Sequence, residues 1–333
     1  MAKTIVHMTN PQARLTRVAL VVLLVSSVLA PSASSQALKN SESLELSGLI
    51  YMDYAYVLQE ADGSAGDNGF SSRRLYLTSD YKLNSDMRVR ARLEAGANGE
   101  PFMKDLYFRW DNSLAEDHRL TIGISSPPAF SVSEGFLGYR SLEKTILDRD
   151  KIVSSRDFGV KLSGPLGSLK YAVMFANNEG QRSEDDRQKR VYGQIEANPS
   201  ERIQLTVGAD YAALEDGSSI TTNAFIGYRM DRVRVGVEGY FNPIRPDEGD
   251  GADRVGVSVF GAAAVGQKSE LVARYDFSSI DTAVQTDDGS FAMLGLAMTV
   301  RDNVRFIPNL LVDTKVGADD SRVTGRVTLH VDF

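Results

Sequence analysis

The segment "DMRVRARLEAG" places Arg88, Arg90 and Arg92 at every second position, with Met87, Val89, Ala91, Leu93 and Ala95 between them. Successive strand side chains point to opposite faces, so the guanidiniums share one face and the apolar residues the other. A guanidinium is a planar fork of N–H donors that fits carboxylate and phosphate oxygens. The chemistry on offer is recognition of an anion, without bond breaking. Groups that break bonds are scarce. There is no cysteine, hence no disulfide framework and no thiolate. The histidines are His7, His118 and His330, and a triad or a metal centre built on imidazole would have to draw on these. No enzyme, no metal and no cofactor is expected.

Positioning such a face takes strands. Alternating segments of about ten residues recur near 44–58, 71–83, 86–97, 103–111, 118–125, 156–163, 168–177, 189–198, 201–213, 219–230, 232–242, 253–264, 268–279, 289–300, 303–313 and 321–333, sixteen candidates in all. "ERIQLTVGADY" and "DRVRVGVEGYF" alternate cleanly, whereas 219–230 is weak and 289–300 is ambiguous in parity. The connections alternate in length. Short ones such as "LNSD", "NPSE" and "RDN" lie between long polar ones such as "EADGSAGDNG", "NNEGQRSEDDRQ" and "NPIRPDEGDG". Short turns on one rim and long loops on the other describe an outer-membrane barrel. A soluble sandwich or propeller, the competing architecture, has no reason to alternate this way. The fold class expected is all-β: a transmembrane antiparallel β-barrel of 16 strands. Its apolar parity would face outer-membrane lipid and its polar parity an aqueous lumen. Closure satisfies every backbone group that hydrocarbon would leave unpaired.

The two termini fit this reading. Lys3, Arg14 and Arg17 precede a 13-residue apolar run, "VALVVLLVSSVLA", and the small residues of "PSASSQA" follow. This reads as a secretory signal peptide over 1–37, with 38–333 as the barrel of a bacterial outer-membrane protein. At the other end, "SRVTGRVTLHVDF" sets Val323, Val327, Leu329, Val331 and Phe333 on one parity and Arg322, Arg326, His330 and Asp332 on the other. It is expected to be the closing strand, paired with "SLELSGLIYMDYAY". Phe333 would face lipid and serve as the assembly signal for the barrel-assembly machinery. The formal net charge is −7, and the leader holds bases but no acid, so its loss leaves a still more acidic chain. That argues against a nucleic-acid partner.

Inward parity gathers cations on one side. Strands two to six carry Arg74, Lys82, Arg88, Arg90, Arg92, Arg109, Arg119 and Lys161 against Asp80, Glu94, Asp111 and Asp157. Further on the inward charges are mixed: Arg234, Arg274, Arg305 and Arg326 against Asp210, Glu238, Glu270, Asp276 and Asp313. Arg74, Arg88, Arg90, Arg92, Arg109, Arg119 and Lys161 are therefore the candidate pore-lining residues of an anion path, since rings of Arg and Lys select anions. The competing reading is a ladder that only braces the wall. The third outer loop is the longest connection, "PPAFSVSEGFLGYRSLEKTILDRDKIVSSR", and a loop of this size is functional or folded onto something. It is expected to fold into the lumen and narrow it. Its cations Arg140, Lys144, Arg149 and Lys151 alternate with Glu143, Asp148 and Asp150. Passive diffusion of small hydrophilic solutes, preferably small anions, is the expected function. A structural or adhesive barrel with a plugged lumen is the alternative.

Two stretches carry a family resemblance. "FSSRRLYLTSDYKLNSDMRVRARLEAG", with its paired Arg73 and Arg74, resembles the second and third strands of the phosphate-selective porin O/P family. "YRSLEKTILDRDKIVSSRDFGVKLSGPLGSLKYAVMFANNEG", with Arg156, Asp157, Gly159 and Val160, resembles that family's passage from the third loop into the next hairpin. The resemblance covers residues 44–180. It implies a sixteen-stranded barrel, a homotrimer and uptake of phosphate or other small anions.

Overall fold

The alternation seen in the sequence becomes a cylinder of strands. The computed structural model describes residues 43–60, 63–96, 99–284, 288–314 and 320–333; the expected signal peptide, 1–37, lies outside the described residues. The strands are β1 (Leu44–Gln59), β2 (Asn68–Lys82), β3 (Met87–Gly96), β4 (Pro101–Asp111), β5 (Arg119–Ser125), β6 (Asp157–Leu166), β7 (Leu169–Ala176) and β8 (Arg190–Ser200). They continue as β9 (Ile203–Leu214), β10 (Gly217–Arg229), β11 (Val233–Pro246), β12 (Ala252–Ala264), β13 (Ser269–Ser279), β14 (Asp288–Arg301), β15 (Val304–Thr314) and β16 (Arg322–Asp332). Each pairs antiparallel with its sequence neighbour, and β1 pairs with β16 to close the barrel.

The outer parity carries the apolar side chains. Met52, Tyr54, Tyr56 and Leu58 of β1 are exposed while Tyr51, Asp53 and Val57 are buried. Tyr54, Tyr56, Tyr81, Tyr228 and Tyr275 are exposed on the outer face, whereas Tyr240 is buried. At the closure Gly48 and Phe333 exchange two backbone hydrogen bonds, of 2.6 and 3.0 Å. The Phe333 ring occupies the space that a Cβ on Gly48 would need. Phe333 is 57% exposed on the outward-facing parity.

Of the five register shifts among the described strands, two bear on the lumen charges. Tyr51 lies opposite Arg74 but Met52 lies opposite Ser72, so Arg73 is an extra residue in β2. Arg92 lies opposite Asp105 but Leu93 lies opposite Met103, so Lys104 is extra in β4. A bulge re-aims a side chain, and here it turns Arg73 and Lys104 into the lumen beside Arg74 and Asp105.

The third outer loop, 126–156, enters the barrel with two short helices, α1 (Ser131–Leu137) and α2 (Ile146–Arg149). It packs against a wall whose inward residues are apolar. Phe136, Leu137, Tyr139 and Leu142 of the loop join Phe225, Phe260, Val272, Phe291, Met293 and Ile307 in one cluster. Ile146, Leu147, Ile152 and Val153 join Met174, Tyr192 and Tyr240 in a second. Inward glycines leave hollows for the loop: a Cβ on Gly227 would lie 2.6 Å from Phe136, and one on Gly256 would lie 2.9 Å from Ile146. This explains the ambiguous parity of 289–300, where the inner residues Phe291, Met293 and Ala297 are as apolar as the outer ones, whereas in 219–230 Phe225 alone is a large apolar side chain on the inner face.

Candidate functional site

The wall opposite this packed region is the basic one. Register places Lys82 opposite Arg88, Arg88 opposite Arg109, Arg109 opposite Thr121 and Thr121 opposite Lys161. With neighbouring strands about 4.8 Å apart, these residues form a lateral band of four cations around one threonine. Asp111 serves three guanidiniums at once: Arg119 at 2.7 Å, Arg109 at 2.9 Å and Arg88 at 3.4 Å. Lys161 donates from Nζ to the Ser126 carbonyl at 2.7 Å and has no ion-pair partner among the described residues.

Further from the β4–β5 turn the same wall is better neutralised. Arg90 grips Asp80 through two bonds of 2.8 and 2.7 Å. Arg92 reaches Asp105 at 3.2 Å and donates to Thr78 Oγ1 at 2.8 Å. Arg156, at the end of the loop, also bonds Asp105. Glu94 is shared by Arg74 at 2.8 Å and Lys104 at 3.1 Å. Tyrosine rings support the guanidiniums: Arg92 lies 5.1 Å and Arg74 5.4 Å from the Tyr76 centroid, and Arg90 lies 5.8 Å from that of Tyr107. Eight cations thus meet the carboxylates of Asp80, Glu94, Asp105 and Asp111, and Lys161 stands beside them on the Ser126 carbonyl. The excess is positive, and it is greatest around Asp111.

Three cavities follow this wall. One of about 550 Å³ is lined by Asp117, Arg119, Lys170 and Glu196. One of about 370 Å³ shares Arg119 and Glu196 with it and adds Arg90, Arg109, Arg156 and Lys161. One of about 400 Å³ shares Arg156 and adds Arg92, Lys104 and Arg140.

A further set of arginines, Arg73 of β2 among them, has a different task. Arg326 and Arg73 donate to the Leu142 carbonyl at 2.7 and 3.2 Å, Arg234 to that of Leu137 at 3.1 Å and Arg190 to that of Ile152 at 3.0 Å. Arg274 bonds the Lys144 carbonyl and pairs with Asp276 at 2.6 Å. These groups tie the loop's backbone to the wall. Tyr240 donates to Asp150 of the loop at 2.8 Å. Burial nonetheless holds the Asp150 carboxyl above the usual range.

The seven pore-lining candidates all face the lumen on the basic wall. The four loop cations divide. Arg140 is held by Glu134 at 2.9 Å and Asp148 at 2.7 Å and faces the Arg92 cavity. Lys144 touches Asp148 at 3.6 Å but lines a separate cavity of about 400 Å³ with Arg149, Asp150 and Asp313. Arg149 is held by Asp313 at 2.6 Å. Lys151 is exposed, in the left-handed region at φ 58°. Only Arg140 therefore joins the basic wall. Strict two-residue counting missed Lys104 as an inward cation, because a bulge leaves no periodic signal.

No family model matches the chain, and no curated protein matches it. Solved structures do. OmpT of Vibrio cholerae, expressed in the outer membrane, is similar over 87% of this chain and 97% of its own, at 12% identity and a TM-score of 0.68. The anion-selective porin from Comamonas acidovorans is similar over 87% and 99%, at 15% identity and a TM-score of 0.66. A trimer form of in-vitro folded Vibrio cholerae OmpT is similar over 87% and 99%, at 12% identity and a TM-score of 0.63. One sequence expectation is corrected here. The OmpT structures carry the name of an outer-membrane protein and not of a porin, so the exclusion of an enzyme drawn from scarce histidine is withdrawn. Acid–base chemistry runs on carboxylates as well as on imidazole, and this lumen holds many. At these identities the likeness bears on the fold: the chain is a porin-like, closed barrel of sixteen antiparallel strands.

Proposed function

We propose that the chain is an outer-membrane porin through which small hydrophilic solutes diffuse passively, with a preference for anions. The observation that carries this is the crowding of Arg88, Arg109 and Arg119 around the single carboxylate of Asp111, with Lys161 beside them. In a narrow lumen such an excess is screened less than on an open surface. The third loop constricts the pore, and Arg140 is its contribution to the basic side. The resemblance to the phosphate-selective porin O/P family points to phosphate and other small anions, and the anion-selective Comamonas neighbour is consistent with the same preference. The trimer form of the OmpT neighbour supports a homotrimer. Outer-membrane lipid would then surround the barrel, a signal peptide over 1–37 would export it, and Phe333 would present it to the barrel-assembly machinery. The test is a reversal potential in a salt gradient across a planar bilayer. Chloride should be favoured over potassium, and Arg88→Gln with Arg109→Gln should weaken that preference. Cation selectivity in the unmodified protein would refute it.

A second reading, a plugged structural barrel, is favoured by the loop's apolar seat, where Leu142, Ile146, Leu147 and Val153 are fully buried. Single-channel recording separates the two: a plugged barrel gives no conductance steps.

A further inference from the structure

The cavity between the loop and strands β1 to β4 differs from the rest of the basic wall. It holds about 400 Å³ and is lined by Tyr51, Tyr76 and Phe130, by Arg92, Lys104, Arg140 and Arg156, and by the carboxylates of Glu134 and Asp332. Its charge is specific in arrangement. Arg92 and Arg156 share one carboxylate, Asp105, and two guanidiniums carry ten N–H donors between them. Thr78 Oγ1 accepts one from Arg92 and the Ser155 carbonyl one from Arg156, and with Asp105 these take fewer than half of the ten. Lys104 is satisfied by Glu94 at 3.1 Å and by Ser155 Oγ at 2.8 Å, and Arg140 by Glu134 and Asp148. The unmet demand is for one further carboxylate-like group at Arg92 and Arg156. A small inorganic anion would meet that demand without filling the apolar part of the cavity beside Phe130.

We propose that this cavity is a subsite for organic monoanions that join a carboxylate to a flat apolar body, such as aromatic carboxylates. The carboxylate sits on Arg92 and Arg156, and the body lies against Tyr76 and Phe130. Tyr76 is placed for both tasks, since Arg92 rests 5.1 Å from its centroid. Aromatic rings prefer edge-to-face or offset contact with other rings, and three rings line this one void. Arg156 also lines the neighbouring cavity of about 370 Å³, where Arg90, Arg109 and Lys161 stand. A bound anion thus has a next cation within the same run of cavities. The subsite rests on the anion-preferring porin reading, and it adds selection by the uncharged part of the solute.

The test compares benzoate, acetate and inorganic phosphate as blockers of chloride current through the full-length protein in a planar bilayer. Benzoate should half-block at a concentration about tenfold below that of acetate, the scale of one added ring contact with burial. Tyr76→Ala should bring the benzoate and acetate values together, and Arg156→Gln should weaken block by both. Should Tyr76→Ala fail to assemble, Tyr76→Leu keeps the bulk and removes the ring, with the same expected direction. A chloride-selective channel that benzoate and acetate block alike overturns the subsite and leaves the porin reading standing. Block by phosphate stronger than by benzoate overturns it as well. A cation-selective channel overturns the porin reading first.

Discussion

Single residues divide by what their charge is occupied with. Arg274 and Asp276 have side chains only 1% exposed each, and Arg274 also holds the loop at Lys144. Removing one partner of a buried pair leaves an uncompensated charge and costs about 3–5 kcal/mol. Asp276→Asn should therefore lower the thermal unfolding temperature in detergent more than Asp111→Asn, because Asp111 is part-exposed and its arginines can reach water. Asp150 adds a pH dependence. Burial raises its pKa in the docked loop, while Arg149 lies 3.5 Å away and Tyr240 donates to it. A raised pKa means that the protonated form is the one favoured by docking. Its contribution is complete below the ordinary carboxylate value of about 3.9 and is lost as pH rises through the raised value. Thermal stability should fall over that interval, and Asp150→Asn should abolish this part of the fall. An unchanged pH profile in the variant would show that Asp150 is not the group responsible.

Elements position these residues, and here sequence and structure part in two places. Strand limits were legible to within a few residues, because alternation and turn residues mark them: 103–111 became Pro101–Asp111 and 268–279 became Ser269–Ser279. The sidedness of Arg88, Arg90 and Arg92 was legible for the same reason. The bulges at Arg73 and Lys104 were not, since one extra residue reverses parity without changing composition. The apolar inner wall was not legible either. A two-residue period separates apolar from polar, but Phe225, Phe260 and Phe291 face inward behind outward positions that are also apolar. Only the loop makes sense of them. Leu142 is fully buried at its apex, with Arg73 and Arg326 both holding its carbonyl. Leu142→Ala should cost about 2–5 kcal/mol, the range for a buried leucine. If the cost falls on docking, single-channel recordings should show added open-channel noise or larger steps. A quiet channel of unchanged conductance would mean that the carbonyl contacts alone fix the loop.

At the scale of the whole molecule, closure is the step on which everything else depends, because an open edge in hydrocarbon leaves a row of backbone groups unsatisfied. The first and last strands meet along ten paired positions from Leu49–Asp332 to Gln59–Val323. Gly48 and Phe333 extend that seam by one pair. The tip of the Phe333 ring lies where a Cβ on Gly48 would stand, and any larger residue at 48 would have to displace it. Two changes therefore probe the seam from opposite sides. Deleting Phe333 removes the ring and the last two backbone bonds. Gly48→Leu keeps the bonds available but evicts the ring. If the ring's seat on β1 helps complete the barrel, both variants should be exported normally and yet yield less heat-modifiable, membrane-inserted protein than the parent. If Phe333 matters only as a terminal signal, the deletion should fail while Gly48→Leu inserts at the parental level, because its terminal residue is intact. Normal insertion of both variants would show that the seam from Leu49 onward closes the barrel without them. The comparison separates a recognition role from a packing role, and quantifying folded and unfolded bands in unheated membrane fractions decides it.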